Sequence, residues 1–271
     1  SPDNRLLAYA EDKIGRRQYV LKIKDLTTGQ TLPDEIPNAQ PGFAWAADNK
    51  TILYIEKDPV TLLGKRVKAH VLGTPVSQDR LVYEEKDETF SLGIGTTSSE
   101  KFICIYSGKT ISDEQRCAPV ANPATFTVLA PRERDFLYGA DHVGNRWVIR
   151  TNWQAPNYRL MTVPDNATGA GKAAWKDIVP HSAGVFIENV QPFDNYLAIE
   201  ERSGGNKRLR LLSNDGKSSF VEADEPAYTM GLSTNAETGT DWVRYTYNSL
   251  TTPSTVIEAN MKTGERKTLK V

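Results

Sequence analysis

Serine hydrolysis needs a serine on a sharp strand-to-helix elbow, written Gly-x-Ser-x-Gly, with a histidine and a carboxylate to activate it. This chain has no such pentad. Its nearest approaches, His181-Ser182-Ala183-Gly184 and Gly231-Leu232-Ser233, lack the glycine spacing and any following helix. The three histidines, His70, His142 and His181, show no His-x-x-x-His spacing, and no cysteine pair is spaced for zinc. His142 stands just before a hairpin turn and reads as a structural hydrogen-bonding residue. No catalytic residue, metal ligand or cofactor-binding residue is assigned, and no cofactor is expected.

Other polar groupings also favour plain readings. Gly93-Ile94-Gly95 is a lone Gly-x-Gly without the helix that would hold a phosphate. The run Glu84-Glu85-Lys86-Asp87-Glu88 lacks the spaced oxygen ligands of a calcium loop and reads as a solvated loop. Arg16-Arg17, Lys65-Arg66 and Lys207-Arg208-Leu209-Arg210 are separated by acidic residues and form no single basic stripe. With a net charge of −1, the chain lacks the electrostatic footprint of a nucleic-acid binder. No apolar run is long enough to cross a bilayer, so neither nucleic acid nor membrane is expected as a partner. Cys104 and Cys117 could form one disulfide in a secreted protein. Cys104, however, lies inside the apolar run Phe102 to Tyr106, which favours a small buried hydrophobe.

The elements carrying these residues are short and apolar. Strand-sized runs rich in Val, Ile, Leu and aromatics occur at Leu6 to Glu11, Tyr19 to Leu26, Thr51 to Glu56, Leu81 to Glu85, Phe102 to Tyr106 and Thr125 to Leu129. They continue at Trp147 to Thr151, Tyr158 to Val163, Tyr196 to Glu200, Leu209 to Leu212, Trp242 to Tyr247 and Thr255 to Glu258. No stretch keeps a helical apolar period over three turns. Two turn types recur. Ser1-Pro2-Asp3-Asn4, Ala46-Ala47-Asp48-Asn49 and Pro192-Phe193-Asp194-Asn195 each precede a strand, while Thr28-Gly29 and Thr263-Gly264 each follow one. Their nearly constant offset predicts a repeating four-stranded meander, with units near 1–38, 39–90, 91–131, 132–184, 185–229 and 230–271. Such a period in an all-β chain indicates a β-propeller, with an irregular double sandwich as the alternative. Tyr9, Trp45, Tyr54, Tyr138, Trp147, Trp242 and Tyr245 are expected to pack between blades.

Several long segments, in order, carry a resemblance. They include Ser1 to Asp12, Pro59 to Leu63, His70 to Pro75, Leu81 to Glu85, Tyr245 to Pro253 and Met261 to Arg266. Through them the chain resembles the propeller domain of the prolyl oligopeptidase family of serine peptidases, and within it the oligopeptidase B (protease II) branch. That resemblance implies a seven-bladed, non-catalytic propeller over an α/β-hydrolase domain, expected after Val271, that holds the catalytic residues. The propeller would shield the active site and admit only short peptides, with cleavage after Lys or Arg and a cytoplasmic location. The expected partners are that hydrolase domain and short basic peptides. Six units are counted against the family's seven, so the first blade is expected before Ser1. An open or distorted ring, with fragments associating at its edge, is the corresponding expectation. Glu11, Asp12, Arg16 and Arg17, around the first hairpin, are candidates for contact with the hydrolase domain, with a solvated hairpin tip as the alternative. A stand-alone propeller acting as a ligand- or protein-binding module, or a propeller from the dipeptidyl or acylaminoacyl branch, are the rival readings.

Overall fold

The computed structural model describes all residues, 1–271, and divides into two compact units, Ser1–Asp135 and Phe136–Val271. In the first, a six-stranded antiparallel sheet runs in chain order through β1 (Leu6–Glu11), β2 (Tyr19–Asp25), β3 (Thr31–Trp45), β4 (Thr51–Lys57), β5 (Gly64–Val71) and β6 (Arg80–Glu84). A four-stranded sheet follows with β7 (Ser91–Thr96), β8 (Phe102–Lys109), β9 (Ser112–Pro119) and β10 (Thr127–Ala130). In the second unit, β11 (Tyr138–Val143), β12 (Arg146–Thr151), β13 (Arg159–Pro164) and β14 (Lys176–Val179) form another four-stranded sheet. The remaining strands are β15 (Phe186–Pro192), β16 (Tyr196–Ser203), β17 (Asn206–Ser213), β18 (Ser218–Phe220), β19 (Tyr228–Leu232), β20 (Trp242–Ser249), β21 (Thr255–Asn260) and β22 (Arg266–Lys270). They join only through one parallel pair, Lys207 with Thr229, so β15–β18 and β19–β22 are near-separate meanders. Every expected strand is present. The helical content is two 3₁₀ stretches, Val76–Gln78 and Asp165–Ala174, the latter interrupted by Gly171 at φ 58°. No helix is long and apolar enough to cross a membrane.

The middle strands are covered on both faces, which is why they read as unbroken apolar runs rather than alternating ones. In β4, Ile52, Leu53, Tyr54 and Ile55 are all buried. Leu53 and Ile55 pack with Val67 of β5 and, across to the next sheet, with Leu92, Ile103 and Ile105. Burying each such side chain is worth about 1.5–3 kcal/mol. In the second unit, Val148, Leu160, Ile187, Leu197 and Ile199 make one apolar cluster, and Phe193, Leu209, Met230, Val243 and Tyr245 belong to another. Of the aromatics expected in the packing, Tyr54, Tyr138, Trp147 and Tyr245 are buried, while Tyr9, Trp45 and Trp242 are half-buried.

Strand β3 serves two pairings. Its first half, Thr31 to Ala39, pairs with β2, and its second half, Ala39 to Trp45, pairs with β4. Each half therefore has one open edge. That is how the strand tolerates Pro33, Pro37 and Pro41, which cannot donate to a ladder. Asn38, at φ 53°, sits where the pairing changes hands.

The repeated turns have one geometry. At Asp25–Gly29 the Asp25 carboxylate accepts from the N–H groups of Thr27 (2.7 Å) and Thr28 (3.0 Å), and Gly29 N–H returns to the Asp25 carbonyl (2.8 Å) at φ 72°. Asn260 and Gly264 repeat this, with Lys262 and Thr263 donating to Asn260 Oδ1. A third copy was not legible, because Leu62 stands where the others have glycine. Asp58 accepts from Val60 (2.9 Å) and Thr61 (2.8 Å), and Leu62 adopts φ 61°.

Two expectations need correction. Cys104 and Cys117 are not separate buried thiols; they are bonded to each other. They face one another in the β8–β9 register with Cα atoms 4.1 Å apart, a cross-strand position that the apolar run around Cys104 did not reveal. Nor is Glu84–Glu88 simply a solvated loop, because Glu85 is 6% exposed and held by Arg132.

Candidate functional site

The four residues expected at a domain contact lie at the β1–β2 hairpin. Asp12 builds it: its carboxylate accepts from the N–H groups of Ile14 (3.1 Å), Gly15 (2.9 Å) and Arg17 (2.7 Å). Partial desolvation pushes the Asp12 carboxyl up, but those N–H groups outweigh it and hold it below the usual range. Glu11 pairs with Lys22 (3.1 Å) and Lys13 (3.5 Å), and the Lys22 bond is the main reason its carboxyl is held low. Arg17 takes φ 55°, and its carbonyl accepts a hydrogen bond from Lys57 Nζ. Lys57 is buried beneath the hairpin; that burial, and then the charge of Arg17, lower its ammonium pKa. The hairpin is thus a stiff turn whose two carboxylates are spent internally. Arg16 and Arg17 remain exposed at its tip, beside Ile14, which is 70% exposed. Sequence reading missed Lys57, whose place in an apolar strand gave no sign that it supports a neighbouring turn.

Beneath β3 and β5 lies a buried polar cluster. His70, fully buried, has Nδ1 2.7 Å from Asp79 and Nε2 3.1 Å from Asp34. Tyr54 donates to the other Asp79 oxygen (2.8 Å), and Gly73 N–H donates to Asp34 (2.6 Å). Burial, and then the Asp79 carboxylate, push the Tyr54 hydroxyl far above its usual range. A histidine between two carboxylates could serve as a base elsewhere. Here no face of the ring reaches solvent, so the cluster ties β3, β4, β5 and the 3₁₀ turn together. His142 is likewise buried, 2.8 Å from Asp165 and edge-on to Trp147, and holds the connection after β13. His181 is exposed, apart from both.

A second network centres on Arg132. Its Nη2 lies 2.8 Å from Glu85, 3.1 Å from Glu114 and 3.2 Å from the Tyr83 hydroxyl, with the guanidinium 4.0 Å over the Phe90 ring. Burial pushes the Glu85 carboxyl up, yet hydrogen bonds from Arg132, the Asp87 N–H and Tyr83 overcome this and hold it at about 2. Gly93 and Gly95 lie within β7 against Tyr106, a packing role and not a phosphate loop. No group of three or more His, Cys, Asp or Glu side chains is placed to hold a metal ion. What these arrangements do chemically is fix strands and hairpins; the surface they stiffen is a set of exposed turns.

Comparison with known proteins gives this scaffold its context. The family model described as the prolyl oligopeptidase N-terminal beta-propeller domain matches residues 1–271. The chain is 55% identical over its whole length to a dipeptidyl aminopeptidase BI of Pseudoxanthomonas mexicana, spanning 37% of that protein. It is 32% identical, over 99% of its length, to Protease 2 of Moraxella lacunata, spanning 39% of it. The structure of oligopeptidase B from Leishmania major superposes on all of the chain with a TM-score of 0.92 at 26% identity, and the match covers 39% of that chain. The chain thus spans under two fifths of each of these three proteins. Matched along its whole length, it belongs to the prolyl oligopeptidase family, as that family's N-terminal β-propeller domain.

Proposed function

We propose that this chain is the non-catalytic, substrate-gating propeller of a serine peptidase that hydrolyses short peptides after Lys or Arg. The observation that carries the reading is the full-length match to a family's N-terminal propeller domain, in a chain spanning only 37–39% of its relatives. The absence of a Gly-x-Ser-x-Gly pentad agrees with chemistry housed elsewhere. A propeller built of stiff turns and double-faced strands suits a wall that excludes water and bulky chains while a hinge admits peptide. The preference for Lys or Arg draws support from the likeness to oligopeptidase B and Protease 2. Arg16 and Arg17, projecting from a turn held by Asp12 and Lys57, are proposed as contacts to the hydrolase domain. The blade units proposed at 1–38, 39–90, 91–131, 132–184, 185–229 and 230–271 draw support from the four-stranded meanders β7–β10 and β11–β14.

A second reading has a specific observation in its favour: the relative at 55% identity is named as a dipeptidyl aminopeptidase. In that case the parent would release dipeptides from peptide N-termini. The test begins with the mass of the endogenous polypeptide, detected by an antibody against this chain. A band above twice 30.1 kDa supports a peptidase parent, whereas a band near 30.1 kDa refutes it and leaves a stand-alone binding module. Incubating the large form with a ten-residue peptide carrying one internal Arg then separates the two cleavages. Products cut after Arg support the first reading; successive dipeptides support the second. In the same protein, Arg16→Ala with Arg17→Ala should alter kcat or KM, and unchanged values would remove the hairpin from the domain contact.

A further inference from the structure

Four aromatic side chains of the second unit gather on the β11–β14 meander. Phe136 precedes β11, Tyr138 opens it, Trp153 follows β12 and Trp175 precedes β14. The Phe136 and Tyr138 rings stack 5.1 Å apart, and Trp175 lies 6.3 Å from the first and 5.7 Å from the second. Trp153 stands edge-on to Trp175 at 6.3 Å. Phe136, Tyr138 and Trp175 are buried, while Trp153 is half-buried. Into this box reaches the Lys172 ammonium, 4.3 Å from the Phe136 ring centre and 5.7 Å from that of Trp153. Ring faces attract a cation through their quadrupole. Lys172 belongs to the stretch Asp165–Ala174, none of whose residues is buried. The stretch is fixed at its ends. Asp165 lies 2.8 Å from His142 and donates its N–H to the Asn145 carbonyl (3.3 Å), while Trp175 N–H donates to the Lys172 carbonyl (3.2 Å). Between those anchors, Gly169 and Gly171, the latter at φ 58°, leave the backbone free to lift. An apolar side chain would cover the rings without giving up water, as an ammonium must. The lysine therefore marks the box as one that favours a cation.

We propose that Phe136, Tyr138, Trp153 and Trp175 form a binding site for the alkylammonium of a lysine side chain, with Lys172 as its built-in occupant. The stretch Asp165–Ala174 is then a strap that its own lysine latches shut and that an amine from outside releases. The ring faces hold the charge, and the rims of the indoles pack along the alkyl stem. The site does not rest on the cleavage preference proposed above, and it stands or falls without it.

The test is chemical complementation. Lys172→Ala removes the side chain beyond Cβ, and n-propylammonium supplies the same heavy atoms; 1-propanol is its neutral counterpart. The readout is the Trp153 indole N–H resonance of ¹⁵N-labelled protein, assigned through Trp153→Phe. In Lys172→Ala, n-propylammonium should shift that resonance saturably, with 1-propanol weaker by about tenfold or more. The unsubstituted protein should bind n-propylammonium about tenfold or more weakly than the variant, because its tethered lysine competes. No saturable shift in the variant, or an equal response to 1-propanol, overturns the proposal. Equal binding by the two proteins overturns it as well, since the amine then sits elsewhere. A second arm needs no variant. In the unsubstituted protein, saturating n-propylammonium should speed hydrogen exchange at Trp175 N–H, which the closed strap holds on the Lys172 carbonyl. Unchanged exchange, or the same acceleration with 1-propanol, overturns the latch.

Discussion

Breaking the Cys104–Cys117 bond should weaken the fold by an amount set by the unfolded chain. The two cysteines are 13 positions apart and span the β8–β9 hairpin. In the folded state the ladder still holds their strands in register after reduction, since Ile103 pairs with Ala118 and Ile105 with Arg116. The loss therefore falls on the denatured ensemble, which regains the freedom of a loop of this length, worth about 3 kcal/mol. For a chain of 271 residues that corresponds to a fall in Tm of about 5 °C. The assay is calorimetric melting of oxidised and reduced protein under anaerobic conditions, with Cys104→Ala and Cys117→Ala together as the permanent reduced form. Equal melting temperatures within about 1 °C would refute the reasoning. The same bond bears on location, because such bonds persist in oxidising compartments and are rare in the cytosol. Alkylation of freshly lysed cells reads the pair directly. Two alkylated thiols would support the cytoplasmic expectation, and none would speak for export.

Three further outcomes are expected. Leu62→Gly should stabilise the protein by about 1 kcal/mol in urea unfolding, by relieving a left-handed backbone that costs a side chain about 1–2 kcal/mol; no gain would mean that the half-buried leucine repays its strain. His70→Ala leaves Asp34 and Asp79 buried without their shared partner and should cost about 3–5 kcal/mol, and a loss under 1 kcal/mol would dismiss the cluster as a tie. Glu85, held at about 2 against an ordinary value of 4.5, contributes stability that is fully present above pH 4.5 and lost as pH falls towards 2. The size is on the order of 2–3 kcal/mol, and Glu85→Gln should flatten that part of the stability–pH curve.

The strands were legible because burial on both faces writes itself as runs such as Thr51 to Glu56. The turns were legible where aspartate or asparagine meets glycine, as at Asp25–Gly29. What the sequence hid were features set by partners distant along the chain. Glu85 sits among charged neighbours, yet Arg132, 47 positions away, draws it into the interior. Cys104 and Cys117 meet because of a register that no local pattern announces, and Leu62 occupies a glycine position at an energetic cost. At the proposed domain contact, sequence located the hairpin but not its support, since Lys57 lies in another strand. The pairing of Arg208 and Arg210 with Glu201 was still less visible: Lys207 to Arg210 reads as a dispersed charge run until Glu201 is placed beside it.

The double pairing of β3 has a kinetic and mechanical consequence. A strand that leaves one neighbour and takes up another transmits the loss of either, so β1–β2 cannot peel away without loosening the entry to β4. Residues from Leu6 to Glu84 should therefore open as one foldon, with amides of β2 and β5 exchanging at a common opening free energy under native conditions. β7–β10 shares no strand with it and is coupled to it by packing alone, through the cluster of Leu53 and Ile55 with Leu92, Ile103 and Ile105. A tension applied along the chain would then be borne first where the strand changes partners, at Asn38 and Ala39.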